Sequence, residues 1–276
     1  IRSAIDFYER HPISADIIRA KLTAARGHLD DVAPDELLPH DQDHYGGLAA
    51  NDALAQAAQL KPGESVVDFC AGLAGPARYY AQHYGVDVTG IELTPVRVRG
   101  ANDLTRLVGL QDKVRVIEAN VMAVPLADAS VDAVLSQEAL LHVPDKARAL
   151  AEAHRILKAG GRLAFTDWVT HRPLSDADAR LMWQGMAVTN LLALPDYVAS
   201  IEGCGFGLAS TQDLTAEWAV VLKERLAMYL KLRGEAERAK TAAGHDAFYE
   251  SYVRLVALVQ EGALGGARFA AVKRSG

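Results

Sequence analysis

The chain has 276 residues, half of them hydrophobic and 23% charged, the balance of a folded globular protein with length for one or two domains. Twenty-nine Lys and Arg against 35 Asp and Glu leave a formal charge of −6, which argues against recognition of a phosphate backbone and so against a nucleic-acid partner. No run approaches the roughly 18 consecutive apolar residues of a spanning helix, and Cys70 and Cys204 stand in neither CxxC nor metal-ligand spacing, so no membrane partner, no metal and a reducing, cytoplasmic setting are expected. The sequence opens on Ile1 rather than Met and is read as starting inside the encoded chain, with no cationic-then-apolar leader in what is present.

In chain order, residues 1–60 predict a helical lead-in or lid. A helix is expected over 15–26, then an acidic, proline-bearing loop over 30–43, then a second helix running from Gly46-Gly47 through Leu60. From Ser65 onward, short β-rich runs alternate with helical ones, the pattern of an α/β fold with a mostly parallel sheet covered on both faces. Strands are predicted over 65–70, 86–92, 113–119, 131–137 and 161–169. Helices follow the first, second and fourth, the last expected to stop at a Gly160-Gly161 C-cap. Beyond them come a helix over 195–202, a strand over 206–213, a helical stretch over 215–261 and a closing strand over 267–273. The helical stretch is too long for an ordinary connection, so a cap insertion at about 215–262 is expected within a main domain spanning 61–276.

The first strand runs into VVDFCAGLAGPARYYA, an acidic strand end, a turn of small residues and a helix N-terminus, which lets backbone approach a ligand closely. The G-x-G-x-x-G spacing of a dinucleotide loop is absent, and Asp68 would repel a pyrophosphate there. S-adenosylmethionine (SAM) carries a sulfonium and an ammonium but no phosphate, and so fits better than NAD. Glu92 ends the second strand, where a carboxylate can accept both ribose hydroxyls, and Asn120 ends the third beside Val121 and Met122, which could wall an adenine.

Asp68 to Gly75, Glu92, Asn120-Val121, SQEALLHVPDK and LKAGGRLAFTDW, in that order, resemble the successive motifs of the class I SAM-dependent methyltransferases over about residues 45–213. The resemblance implies a Rossmann-like sheet whose last strand is antiparallel. It implies SAM as donor and S-adenosylhomocysteine as product, with Asp68, Ala71, Gly72, Glu92, Leu93, Asn120, Val121, Met122 and Gln137 at the donor. This chain departs from the family in carrying Cys70 and Ala74 where Gly is usual and Asn120 where Asp is usual. Close approach by Cys and Ala is expected to need φ to stay negative.

SQEALLHVPDK, TDW and the closing EGALGGARFAAVK further resemble the sarcosine, dimethylglycine and phosphoethanolamine N-methyltransferases, which implies a small-molecule acceptor methylated at an amine nitrogen. In that group a histidine of this loop and a tyrosine of the lead-in are active-site residues. His142 matches by motif, and its ring, titrating near neutrality, is the candidate base. Tyr45 is the candidate tyrosine, with His44 and Tyr8 as alternatives. Glu138 near the fourth strand's end, together with His44, Trp168, Trp183, Tyr197 and Arg268, are candidate acceptor contacts, aromatic faces favouring a methylated ammonium. Asp167 could hold a cationic substrate or cap the loop. A C- or O-methyltransferase of a more apolar, lipid- or isoprenoid-like metabolite and a non-catalytic SAM-binding module are the competing readings. A monomer or homodimer is expected.

Overall fold

The computed structural model describes residues 2–9, 11, 13–238 and 246–274, so residues 239–245 of the predicted helical stretch lie outside the described residues. The lead-in comprises α1 (Arg2–Glu9), α2 (Ala15–Arg26), α3 (Leu38–Asp41) and α4 (Gly47–Ala57). Then come β1 (Ser65–Phe69), α5 (Gly75–Tyr84), β2 (Asp87–Glu92), α6 (Pro95–Leu107), β3 (Val114–Glu118), β4 (Val131–Gln137), α7 (Lys146–Ile156) and β5 (Leu157–Thr170). The chain closes with α8 (Asp176–Met186), β6 (Leu192–Ala193), α9 (Leu194–Gly203), β7 (Phe206–Asp213), α10 (Thr215–Arg238), α11 (Asp246–Gln260) and β8 (Leu264–Lys273).

The sheet runs β3-β2-β1-β4-β5-β8-β7, with β6 on the end of β5. β1 to β5 are parallel, whereas β8 runs antiparallel to both β5 and β7. Strand order reverses between β1 and β4, and ligands of open α/β sheets sit at the carboxyl ends beside such a reversal. Alternating side chains bury both faces. Val67 and Phe69 join α7 and α9 in one core with Phe165, Tyr197 and Phe269, while Val66 joins α4 and α5 in another with Tyr80 and Leu54.

Helix boundaries follow local chemistry. α2 starts where Ser14 Oγ accepts the Ile17 N–H and stops at Gly27, whose φ of +82° only glycine adopts freely. The expected C-cap at Gly160-Gly161 is corrected: α7 ends at Ile156, and both glycines lie inside β5. Leu157 turns extended because it pairs with Val131, before an irregularity in the β4–β5 register. α1 is a further helix that residues 1–14 did not reveal.

A third core joins the cap to the sheet: Trp218 and Leu222 of α10, Tyr252 and Leu255 of α11, and Met182 of α8 pack on Trp168 and Leu264. The glycine pair of GALGG makes this possible. A Cβ on Gly266 would stand 2.2 Å from the Trp218 ring, so any side chain there would lift the cap off β8. The lead-in docks by the same device, because a Cβ on Gly75 would lie 2.1 Å from the Asp41 carbonyl oxygen. Asp41 also pairs with buried Arg78 of α5 at 2.9 Å, tying the lead-in to the helix that follows the small-residue turn.

Candidate active site

Two cavities meet above the carboxyl ends of β1 and β4. The larger is lined by Asp68, Ala71 and Gly72 after β1, Glu92 and Leu93 after β2, Asn120, Val121 and Met122 after β3, and Gln137 of β4. The turn after β1 is shaped by backbone strain rather than by glycine alone. Cys70 has φ +58° and Ala74 φ +61°, so the condition of negative φ for close approach is not met: both non-glycine residues are held in the left-handed region and the loop detail is altered. Glu92 fixes this turn, its Oε2 accepting the Gly72 N–H at 2.9 Å and its Oε1 the Thr94 N–H at 2.8 Å. Asn120 Oδ1 accepts the Met122 N–H at 2.9 Å, which orients the amide and leaves its NH2 as the free donor.

Asp68 is the group that selects a ligand. It is buried, accepts no hydrogen bond from any described residue, and its carboxyl is pushed up to about 7 by burial and by Glu92 beside it. A ligand cation would restore its charge, whereas a phosphate would add a third negative group. The Gln137 Nε2 is likewise buried and unpartnered, although Gln137 Oε1 accepts from the Tyr80 hydroxyl at 2.9 Å. A cationic ligand with further hydrogen-bonding groups, such as the SAM expected from the sequence, fits both.

The second cavity lies between the sheet end, the lead-in and the cap, lined by Phe7, Tyr8, His11, Tyr45, Trp168, Tyr229, Phe248 and Tyr252 with Arg225. It shares Tyr8, Asp43, Glu138 and His142 with the first. The Tyr8 hydroxyl lies 2.9 Å from His142 Nε2, and His142 Nδ1 lies 3.1 Å from the Ala187 carbonyl. A carbonyl only accepts, so Nδ1 carries the proton and Nε2 accepts from Tyr8. Burial pushes His142 down to about 4, which corrects the expectation of a ring titrating near neutrality. The ring is neutral and its lone pair is occupied by Tyr8.

Glu138 is the acidic group at the junction. Its φ of +53° turns the side chain so that Oε2 accepts the Tyr45 N–H at 2.7 Å, and burial pushes its carboxyl up to about 8. Asp43 is held below the ordinary carboxylate range: burial pushes it up, but His11, Arg97 and Arg225 outweigh that. The Arg225 guanidinium stacks 4.7 Å over Tyr45 and meets the carbonyls of Asp43 and His44, with no carboxylate partner at ion-pair distance among the described residues. Beside it the Tyr252 hydroxyl is buried and faces the Tyr45 side chain.

The remaining expected contacts separate. Tyr45 lines the second cavity, wedged between Trp168 and Trp218, while Tyr8 takes the position beside His142. His44 lines the first cavity but is neutral, pushed to about 4 by burial and bonded to Gln42 within the lead-in. Three expected acceptor contacts line neither cavity. Trp183 is 51% exposed on α8, Tyr197 is buried between Phe165 and Phe269, and Arg268 reaches Gln212 across β7. Asp167 is fully buried and bonds the loop, which excludes direct contact with substrate. Sequence reasoning missed Arg225, Tyr229, Tyr252, Phe248 and Phe7. The one signal for the last is the aromatic cluster Phe7-Tyr8 with His11 one turn later.

Residues 67–165 match the family model described as "Methyltransferase domain". The chain is 30% identical over 177 residues to the sterol 24-C-methyltransferase of Gibberella zeae, aligning over 60% of this chain and 47% of that protein. It is 33% identical over 222 residues to the 2-methyl-6-phytyl-1,4-hydroquinone methyltransferase of Synechocystis, over 77% of this chain and 60% of that protein. The chain therefore spans about half to three fifths of these relatives' length. Among solved structures, phosphoethanolamine N-methyltransferase 2 of Haemonchus contortus in complex with SAM superposes with TM-score 0.75 at 20% identity, over 98% of this chain and 60% of that one. Residues 67–165 thus resemble a methyltransferase domain, and the chain has the fold of the SAM-dependent methyltransferases.

Proposed function

We propose that the protein transfers a methyl group from SAM to the nitrogen of a small amine that also carries an anionic group, releasing S-adenosylhomocysteine. The observation that carries this reading is Glu138 at the junction of the two cavities, a carboxyl group among aromatic faces with the Arg225 guanidinium lining the same cavity. The likeness to a phosphoethanolamine N-methyltransferase structure supports it.

Asp68 would hold the donor's ammonium, Glu92 its ribose, and Asn120 with Val121 and Met122 its adenine. The bound donor supplies a sulfonium methyl: the acceptor's lone pair forms the new C–N bond as the C–S bond breaks. An ammonium acceptor must first lose a proton; Glu138, whose proton affinity burial raises to about 8, would be charged once a cationic donor and acceptor stand beside it, and would then take that proton. Tyr8, held by His142, would fix the nitrogen in line rather than remove its proton, and the aromatic walls would favour the cationic product. Arg225 and the Tyr252 hydroxyl, which line the same cavity, would take the anionic end.

A second reading, C- or O-methylation of an apolar acceptor, is favoured by the aromatic lining and by the sterol and phytyl-hydroquinone relatives. The discriminating experiment is S-adenosylhomocysteine formation with sarcosine, phosphoethanolamine, an uncharged amine and a prenylated hydroquinone in parallel. Turnover of the anionic amines in preference to the others supports the first reading. Turnover of the hydroquinone alone replaces it with the second.

A further inference from the structure

We propose that the buried pair Asp167–Lys146, with Tyr197, is a positioning device that locks the orientation of the His142 turn for methyl transfer. All three residues lie beneath the cavities and touch neither. Asp167 is 0% and Lys146 1% exposed, with Lys146 Nζ 2.8 Å from Asp167 Oδ2. The Tyr197 hydroxyl donates to the same Oδ2 at 2.8 Å. Removing two charges from water is unfavourable enough that a buried pair by itself is weak ground for a stability role. What the pair grips points to a different role.

Asp167 Oδ1 accepts the Leu141 N–H at 3.1 Å, and Lys146 Nζ donates to the Leu140 carbonyl. These are the two ends of a single peptide plane, the one between Leu140 and Leu141. Its N–H faces an anion and its C=O faces a cation. Flipping that plane would set the carbonyl against Asp167 and the N–H against Lys146, so the ion pair reinforces the polarity that the turn's own bond from the Val143 N–H to the Leu140 carbonyl, at 2.9 Å, gives the plane. The next residue is His142. From the opposite side the Leu141 carbonyl accepts the Thr189 N–H at 3.0 Å, and the Ala187 carbonyl receives His142 Nδ1–H. The turn is thus fixed on both sides, and with it the tautomer that leaves Nε2 facing Tyr8. A neutral pair of similar shape would fill the same space without reinforcing that polarity. The charges of Asp167 and Lys146, sited under the turn rather than in a cavity, are explained by orienting His142.

The inference rests on the reading that His142 serves the acceptor cavity, but its first readout needs no acceptor. In 15N-histidine-labelled protein, the His142 ring nitrogens report the tautomer directly. The wild-type chain is expected to show the Nδ1–H form alone, and Asp167→Asn, which reverses one donor–acceptor sense, a mixture of tautomers. With an acceptor in hand, Asp167→Asn is expected to lower kcat about 10- to 100-fold, with acceptor KM and SAM affinity within threefold. Tyr197→Phe, which keeps the ion pair, should shift both readouts the same way by less and guards against a variant that does not fold. Phe206→Leu, a core change far from the turn, controls for lost stability and should leave the His142 spectrum unchanged. Folded Asp167→Asn and Tyr197→Phe proteins that keep the wild-type His142 spectrum would overturn the proposal, as would an altered spectrum with unchanged kcat. If no acceptor is turned over, the function proposed above fails while the spectrum still decides this one.

Discussion

The first cavity, proposed to hold the donor, and the second, proposed to hold the acceptor, share four residues and are built on opposite principles. The donor side is made of strand ends: Asp68, Glu92, Asn120 and Gln137 follow β1, β2, β3 and β4, and backbone hydrogen bonds to Glu92 and Asn120 set its turns. The acceptor side is made of pieces far apart in sequence, α1, the 43–45 loop, the His142 turn, α10 and α11, brought together by aromatic packing and by glycines that allow close contact. A sheet fixes where its strand ends stand, so the donor chemistry is a property of the fold. The acceptor chemistry is a property of what docks on it.

That contrast is open to breakage on either side. The largest effect is expected at the donor: Asp68→Ala and Glu92→Ala should each weaken SAM binding by about 100-fold or more, measured calorimetrically, since each loses a charge-assisted contact and Glu92 also releases the turn at Gly72. Retained affinity in folded variants would remove the donor assignment. Next, Arg225→Met should raise the KM of an anionic acceptor about 10- to 100-fold while leaving SAM affinity within twofold, because the guanidinium lines the second cavity and not the first. An equal loss in both would mean that the two cavities are not separable. Tyr8→Phe, which deletes the hydroxyl held by His142, is expected to lower kcat about tenfold with little change in binding.

A smaller effect concerns pH. Glu138 binds its proton up to about 8 in the folded chain against an ordinary 4.5, so the folded state holds more protons than the unfolded one between those values. Its contribution to stability is therefore complete below about 4.5 and lost as pH rises through 8. Thermal unfolding of the ligand-free protein should show Glu138→Gln gaining a few degrees on wild type as pH rises from about 5 to 8, with no such trend if the carboxyl titrates normally. His142, shifted down, works in the opposite direction and loses its contribution as pH falls from 6.5 toward 4, which the comparison of two proteins with the same histidine cancels. Smallest of all, Trp183→Ala should alter neither donor affinity nor acceptor KM by more than about twofold, since the ring is half exposed and outside both cavities.

The same division governs what the sequence made legible. Strand runs such as VDAVLSQ announce themselves by β-branched residues ending in polar ones, so the residues at the strand ends that line the first cavity could be read position by position. The strain at Cys70 and Ala74 could not, because nothing in composition marks a non-glycine residue with positive φ when the surrounding turn imposes it. On the acceptor side His142 was legible through its motif, but its partner was divided among three lead-in residues. That choice depends on α1 folding back 134 residues in sequence to reach the ring. Arg225, Tyr229 and Tyr252 sit on helices whose apolar spacing reads as ordinary core, and only the packing of α10 against α11 turns them inward. Asp167 shows the same limit from below: its place near the end of β5 left a substrate contact and a loop cap equally open, and its full burial beside Lys146, with its bond to the Leu141 N–H, favours the loop.

The central claim, that the joined cavities place a methyl donor against an amine nitrogen, is tested most directly by following the methyl carbon itself. With SAM labelled by 13C at the transferred methyl and sarcosine or phosphoethanolamine as acceptor, NMR of the product should show a new N-methyl carbon appearing in step with S-adenosylhomocysteine. Label found on carbon or oxygen of an apolar acceptor, with the amines left unmethylated by protein that binds SAM, would contradict it.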